Sequence, residues 1–383
     1  MRQVAAAFWA GFRAEAQQLR RSRLLVALTV VQAVTFLLMV SVFGLTGSRV
    51  PTAVVDEDGG PLAQRWIANM ASVHHTYNVR RMDKKQAQQA LRRGDIAGII
   101  TIPPGFSDAI AHRQIVRIPF AVDNVNADLT DDVERGLPSI AIAFARETGL
   151  ASVNCPDPLS NDARHKGCVR VQVLETDLVN HDTDFIPYLV VSALALDAFI
   201  VAGILAATAV AREFETRTVT NLTLAPVSAL LPLAGRVLAT SLVSALAIAL
   251  TALVVVFGFR VVPAHPLEMA GALLLSVVIF SCVGAGIGAL LKRTLPVAAL
   301  LFGLALPLYI DSGSLEPQRF DGDLIWLIGH TSPVYYSVGV LEHAAHDLRV
   351  TPEPVGVNVV ALLLWALFAG FVAWAAMRRG VRA

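Results

Sequence analysis

The chain has 383 residues, of which 55% are hydrophobic and 16% charged, with a formal net charge of +1. Soluble domains carry about 25% charged residues, so the composition excludes an ordinary soluble protein, and the charge balance offers nothing for nucleic acid to bind. Apolar runs long enough to cross a bilayer account for the deficit.

A helix needs about 20 apolar residues to span the hydrocarbon core. In chain order, six windows meet or approach that length: Leu24 to Leu45, Ile186 to Val210, Leu231 to Phe257, Leu267 to Leu291, the shorter Leu295 to Ile310, and Val355 to Met377. The first run is too long for a signal h-region and is expected to be a permanent anchor. Arginine and lysine near the helix ends set orientation. Arg13, Arg20, Arg21 and Arg23 precede the first window; Arg212, Arg217 and Arg236 flank the turn between the second and third. Lys292 and Arg293 separate the fourth from the fifth, and Arg378, Arg379 and Arg382 follow the sixth. With six spans all these groups fall on one side, which places both termini in the cytoplasm of a multi-pass protein of the cell inner (plasma) membrane.

Before the first window, residues 1–23 carry Phe8, Trp9 and Phe12 at helical spacing, with Arg13, Glu15, Gln17 and Gln18 opposite. This pattern predicts an amphipathic helix lying in the membrane interface; the alternative is a plain extension of the first span, 24–46.

Residues 47–185 form the only long polar stretch. Val50 to Val55 is strand-like and ends in the turn Asp56-Glu57-Asp58-Gly59-Gly60. A helix over Pro61 to Ser72, a strand over Tyr77 to Met82, and a helix from Asp83 to Arg93 capped by Asp83 follow. Ile96 to Ile102 reads as a strand, Phe106 to His112 as a short helix and Ile115 to Val122 as a strand. A helix kinked at Pro138 is expected from Asp128 to Gly149, and irregular chain after it. Such alternation predicts a small α/β domain outside the cytoplasm. Cys155 and Cys168 would close a short loop there; an extracytoplasmic position favours a disulfide, and the alternative is two buried thiols.

The sequence has no GxxxxGK[ST] loop, GxSxG elbow or HExxH helix. His74-His75 has no carboxylate at helical spacing, and His330, His343 and His346 near Trp326, Tyr335 and Tyr336 read as solvated interfacial residues. No metal site and no catalytic residue is expected. Gly284 and Gly288 form a GxxxG within an apolar window, a pattern for close helix packing. Asp197, near the centre of the second window, costs at least roughly 2.5–3.5 kcal/mol on insertion scales. Such a residue either lines a polar substrate path or hydrogen-bonds a neighbouring helix.

The stretch 211–229 contains Arg212-Glu213-Phe214-Glu215-Thr216-Arg217-Thr218 and Asn221-Leu222-Thr223-Leu224-Ala225-Pro226-Val227-Ser228. It resembles the coupling segment of ABC-2 type permeases, with Arg217 where that family usually has glycine and Ala225 where it often has threonine. Val54-Val55-Asp56-Glu57-Asp58 and Gly94-Asp95-Ile96-Ala97 through Pro103-Pro104-Gly105-Phe106-Ser107 resemble the outer domain of the branch with a large extracytoplasmic insertion between the first two spans. Ser312-Gly313 to Pro317 and Ser332-Pro333-Val334-Tyr335-Tyr336 resemble that family's re-entrant segment, placed here at 312–350, with Ser332 in place of its usual asparagine.

The resemblance implies a membrane all-α six-helix bundle, with 186–383 supplying five spans and 47–185 an inserted α/β extracytoplasmic domain. It further implies the permease subunit of an ATP-driven exporter that has no ATPase site of its own. ATP and Mg would sit on a cytoplasmic ABC ATPase partner, with no cofactor on this chain. A second permease chain, identical or homologous, and membrane lipid would complete the surroundings. Arg212, Glu213, Glu215, Thr216, Thr218 and Pro226 would serve ATPase coupling. The apolar bundle favours a hydrophobic or amphipathic cargo. The competing reading is a membrane-anchored receptor or scaffold whose outer domain binds a ligand without transport.

Overall fold

A computed structural model describes residues 2–20, 50–72, 77–112, 114–122, 170–177, 185–224, 227–314 and 323–382, together with Ile140 and Phe144. The anticipated first span, the His74-His75 pair, Cys155, Cys168 and Pro226 lie outside the described residues, as does most of the anticipated 128–149 helix. In chain order the elements are α1 (Arg2–Leu19), β1 (Val50–Asp56), α2 (Pro61–Ser72), β2 (Tyr77–Arg81), α3 (Lys84–Arg92), β3 (Gly98–Ile102), α4 (Phe106–Ala111), β4 (Ile115–Val122) and β5 (Arg170–Asp177). There follow α5 (Phe185–Glu215), α6 (Thr218–Thr223), α7 (Leu230–Gly258), α8 (Pro266–Leu291), α9 (Thr294–Ile310), α10 (Asp323–His330), α11 (Pro333–His346) and α12 (Val355–Arg382). These elements fall into two compact units, an α/β unit and a helical unit.

The α/β unit is a five-stranded sheet in the order β2-β1-β3-β4-β5. β1 runs parallel to β2 and to β3, β3 is antiparallel to β4, and β4 is parallel to β5. Strand side chains alternate between faces, and this sequence uses both. Val54, Ile100, Ile102 and Phe120 point to one side, where Trp66 of α2, Phe106 of α4, Ile140 and Phe144 complete a core. Ala53, Val55 and Ile99 point to the other, beneath Ala87, Ala90 and Leu91 of α3. Asp83 caps α3 by accepting from the Gln86 N–H at 2.8 Å. The acidic turn after β1 is tied to α4 across 49 residues of chain: Ser107 Oγ donates to Asp58 Oδ2 at 2.5 Å. A Cβ on Gly60 would fall 2.2 Å from that hydroxyl and 2.5 Å from Asp58 Oδ2, so a side chain there would displace this hydrogen bond. Burial alone would raise the Asp58 carboxyl, but hydrogen bonds from Ser107, Gly60 and Gly105 together hold it below its ordinary value.

One expectation fails here. The chain beyond Gly149 reads as irregular, yet 170–177 is a strand paired along β4 from Ile115–Arg170 to Val122–Asp177. Val171 and Val173 alternate with Arg170 and Gln172, a short signal that the prolines and polar residues before it obscure.

Among the described residues of the helical unit, four helices are long and apolar enough to cross a membrane: 187–215 of α5, then α7, α8 and α12. α9 is shorter, at 17 residues. α5 is the central helix; its most apolar window is 94% buried, against 17% for those of α7 and α12. The last two leave Leu246, Leu250, Phe257, Leu364, Leu367 and Phe371 exposed, as lipid-facing surfaces do. α8 meets α5 backbone to backbone. A Cβ on Gly284 would lie 2.1 Å from the Gly203 carbonyl oxygen, and one on Gly288 would lie 2.3 Å from that of Ala207. These pairs advance in the same direction along both helices, so α5 and α8 run parallel. Glycine is required because no side chain fits between helices at that distance.

Candidate functional site at the basic end of the helical unit

The second anticipated span ends in the sequence at Val210, but α5 continues through Glu215. That extra turn places Arg212, Glu213 and Glu215 on a rigid continuation of the central helix. α1 crosses the start of α7 at close quarters. A Cβ on Gly11 would be 2.2 Å from the Pro232 carbonyl oxygen, and one on Gly235 would be 2.2 Å from that of Phe8. The buried face of α1 is therefore Gly11, Glu15 and Leu19, at four-residue spacing.

This arrangement corrects the anticipated polar face of α1. Glu15 does not point outward; it is 1% exposed. Its Oε2 accepts from Arg212 Nη2 at 2.7 Å and from Arg236 Nη1 at 2.9 Å. Arg236 also pairs with buried Glu213, Nη2 to Oε1 at 3.1 Å. Two carboxylates and two guanidiniums from α1, α5 and α7 thus compensate one another. Neighbouring opposite charges and charge-assisted hydrogen bonds make such burial tolerable. Trp9 stays half-exposed beside Phe12, their rings meeting edge-on at 5.2 Å.

Glu215 serves a different helix. Its Oε2 accepts from the Thr294 N–H at 2.9 Å and the Thr294 hydroxyl at 2.7 Å, satisfying a free donor at the start of α9. Beyond it the chain turns sharply. Thr216 Oγ1 donates back to the Arg212 carbonyl at 2.8 Å, and Arg217 adopts φ 57° before α6 begins. That left-handed conformation is the one glycine takes most easily. Lys292, in the turn from α8 to α9, also has φ 57°, and its Nζ lies 5.4 Å from the Phe214 ring centre.

The outward surface of this end comprises Thr216, Arg217, Thr220, Asn221, Thr223 and Leu224. Leu224 is 82% exposed, an isolated apolar side chain among polar ones. Thr218 is half-buried with its hydroxyl against that of Thr216. Asp197 lies about four turns before Arg212, nearer the middle of α5, and is 3% exposed, so it faces the bundle interior.

At the opposite end, α10 and α11 form a short helical pair. Its histidines are not free in solvent as anticipated. His330 stacks between Trp326 and Tyr335, at 4.2 and 4.4 Å between ring centres, and its Nε2 lies 3.2 Å from Glu353 Oε1. Tyr335 donates to the other Glu353 oxygen at 2.7 Å. Burial tends to raise the Glu353 carboxyl, but the hydrogen bonds from His330 and Tyr335 outweigh it and hold the group below its usual range. His346 pairs with buried Glu342 at 3.0 Å. Sequence spacing offered a cue only for the last of these, an i, i+4 pair on one helix.

Long apolar helices packed through close glycine contacts define a multi-pass membrane protein. A family model described as ABC-2 family transporter protein matches residues 23–375. The chain belongs to that family. A comparison with curated protein sequences finds no match.

Proposed function

We propose that this chain is the permease subunit of an ATP-driven ABC-2 type exporter, and that the end of the helical unit around Arg212–Ser228 receives a cytoplasmic ATPase. Membership of the transporter family supports the general role. The observation carrying the finer reading is the junction itself: Glu15, Arg212, Glu213 and Arg236 tie α1, α5 and α7 together, and Glu215 adds α9. A push on α6 would therefore reach four helices at once. In this reading Arg212, Glu213 and Glu215 transmit force from inside the junction. Thr216, Arg217 and Leu224 would make the outward contact, while Thr218 braces the turn and Pro226 would also serve coupling.

The first apolar window, Leu24 to Leu45, together with α9, would bring the spans to six. The basic end would face the cytoplasm under the positive-inside rule. Two such chains and two ATPases would form the transporter, with the α/β unit outside, Cys155 and Cys168 bridged, and ATP and Mg confined to the ATPases. Asp197 would line the substrate path, and the cargo would be hydrophobic or amphipathic. Asp197→Asn should then lower transport at unchanged protein level; wild-type transport by that variant defeats this role.

The test of coupling is association. The chain, purified from its native membrane in mild detergent, is expected to retain a P-loop ATPase, and Leu224→Asp should release it without lowering chain abundance. Failure of any ATPase to associate defeats the exporter reading and leaves the receptor reading. Retention by the Leu224→Asp variant defeats the docking surface alone.

A further inference from the structure

At the end of the helical unit away from the charged junction, the loop entering α8 lies against the last turn of α11. Two backbone hydrogen bonds fix it there: the Ala264 N–H donates to the Ala345 carbonyl at 3.1 Å, and the His265 N–H to that of Ala344 at 2.8 Å. The consequence is to bring His265, 78 positions away in sequence, beside His343, with ring centres 5.2 Å apart and planes inclined by 35°. Asp347 closes α11 in a left-handed conformation, φ 57°, its N–H bonded to the His343 carbonyl at 2.9 Å. That turn swings its carboxylate back over the two rings. Asp347 Oδ1 lies 3.3 Å from His343 Nδ1 and 3.7 Å from His265 Nε2.

We propose that His265, His343 and Asp347 form a binding site for a zinc-class divalent cation, clipping the start of α8 to the end of α11. One ligand atom from each residue lies within 4.8 Å of the others. Ligands 2.0–2.1 Å from a tetrahedral zinc stand roughly 3.3 Å apart, so a small rotation of the exposed His265 ring completes three positions and water takes the fourth. Two imidazole nitrogens and one carboxylate oxygen suit zinc, cobalt, nickel or copper, whereas magnesium and calcium prefer all-oxygen sets. Glu268, in the first turn of α8, has Oε2 3.8 Å from His343 Nε2. A small movement of that exposed carboxylate would let it accept from Nε2 and leave Nδ1 free for the metal. The sequence shows only the i, i+4 pair His343 and Asp347 at the end of α11; His265, the cap before α8, joins them from 78 positions away.

The test uses the full chain in detergent, with affinity tag removed and metal stripped. Cobalt(II) serves as the optical probe and zinc as the stabiliser. Wild type should take up one cobalt per chain with the intense visible bands of a low-coordinate ion, and zinc but not magnesium should raise its Tm. His265→Ala and His343→Ala should each weaken cobalt binding at least tenfold, while Asp347→Asn weakens it less. The metal-free Tm of each variant establishes that it is folded, and His265→Ala, which alters only an exposed side chain, guards against loss by misfolding. Absence of saturable binding in wild type, or undiminished binding in the His265→Ala/His343→Ala double variant, overturns the site. Neither result bears on ATPase association.

Discussion

Replacing Arg236 with methionine keeps an unbranched apolar stem but removes the guanidinium that bridges Glu15 at 2.9 Å and Glu213 at 3.1 Å. Arg212, 2.7 Å from Glu15, would still serve that carboxylate, but Glu213 would lose its ion-pair partner. Both carboxylates are almost wholly buried, and Arg236 itself is only 13% exposed. Stranding one buried charge costs about 3–5 kcal/mol, whereas exchanging a whole buried pair for apolar residues is often close to neutral. Arg236→Met should therefore be destabilised by about 3–5 kcal/mol, and α1 should loosen from α7. Adding Glu213→Met should restore most of the loss, because Glu15 and Arg212 remain paired. Thermal unfolding in detergent ranks Arg236→Met, Glu213→Met and the double variant, and a cysteine placed at Ala14 reports on α1 through its labelling rate. If the single variant matches wild type, or the double variant loses as much as the two single ones combined, the junction is not held electrostatically.

Other outcomes follow from the same geometry. Gly284→Ala sets a methyl 2.1 Å from the Gly203 carbonyl; the helices must separate, at about 1–3 kcal/mol for overpacking, seen as a lowered Tm, while Gly303→Ala, in open space, should not lower it. Arg217→Gly relieves a left-handed residue costing about 1–2 kcal/mol, offset by about 0.5–1 kcal/mol of added chain entropy. A slightly higher Tm is expected, whereas Arg217→Ala, which keeps the strain, should give none. In the α/β unit, Asp58 has a folded value below the unfolded one. Its contribution is then fully present above about pH 4 and fades as pH falls through the folded value. Ser107→Ala should flatten that acid limb in the chain's unfolding monitored by Trp66 fluorescence.

Much of the architecture was written locally. The long apolar windows read as α5, α7, α8 and α12 because burial in lipid demands uninterrupted apolar helix, and their observed ends fall within a few residues of the apolar runs. Val50–Asp56, Pro61–Ser72 and Ile115–Val122 were legible through strand alternation, helical periodicity and the Gly and Pro that punctuate them. β5 was not, because a strand with so few apolar residues is defined by the partner it pairs with. The extra turn of α5 was also hidden. Arg212 and Glu213 look like the start of a loop until Glu15 and Arg236 arrive to neutralise them.

Family membership likewise rests on short stretches in chain order, and those the sequence alone carries. What each charged residue does is a tertiary matter. The sequence places Glu15 on a polar helical face, and only the crossing of Gly11 over Pro232 turns Glu15 inward while Arg13, Gln17 and Gln18 stay exposed. It shows three histidines near the end of the chain, and only the docking of the α8 entry on α11 sets His265 beside His343 and its i+4 neighbour Asp347. The physical reason is common to both cases. Periodicity records which side of an element is apolar, whereas ion pairs and ligand sets depend on groups far apart in sequence being brought within about 4 Å.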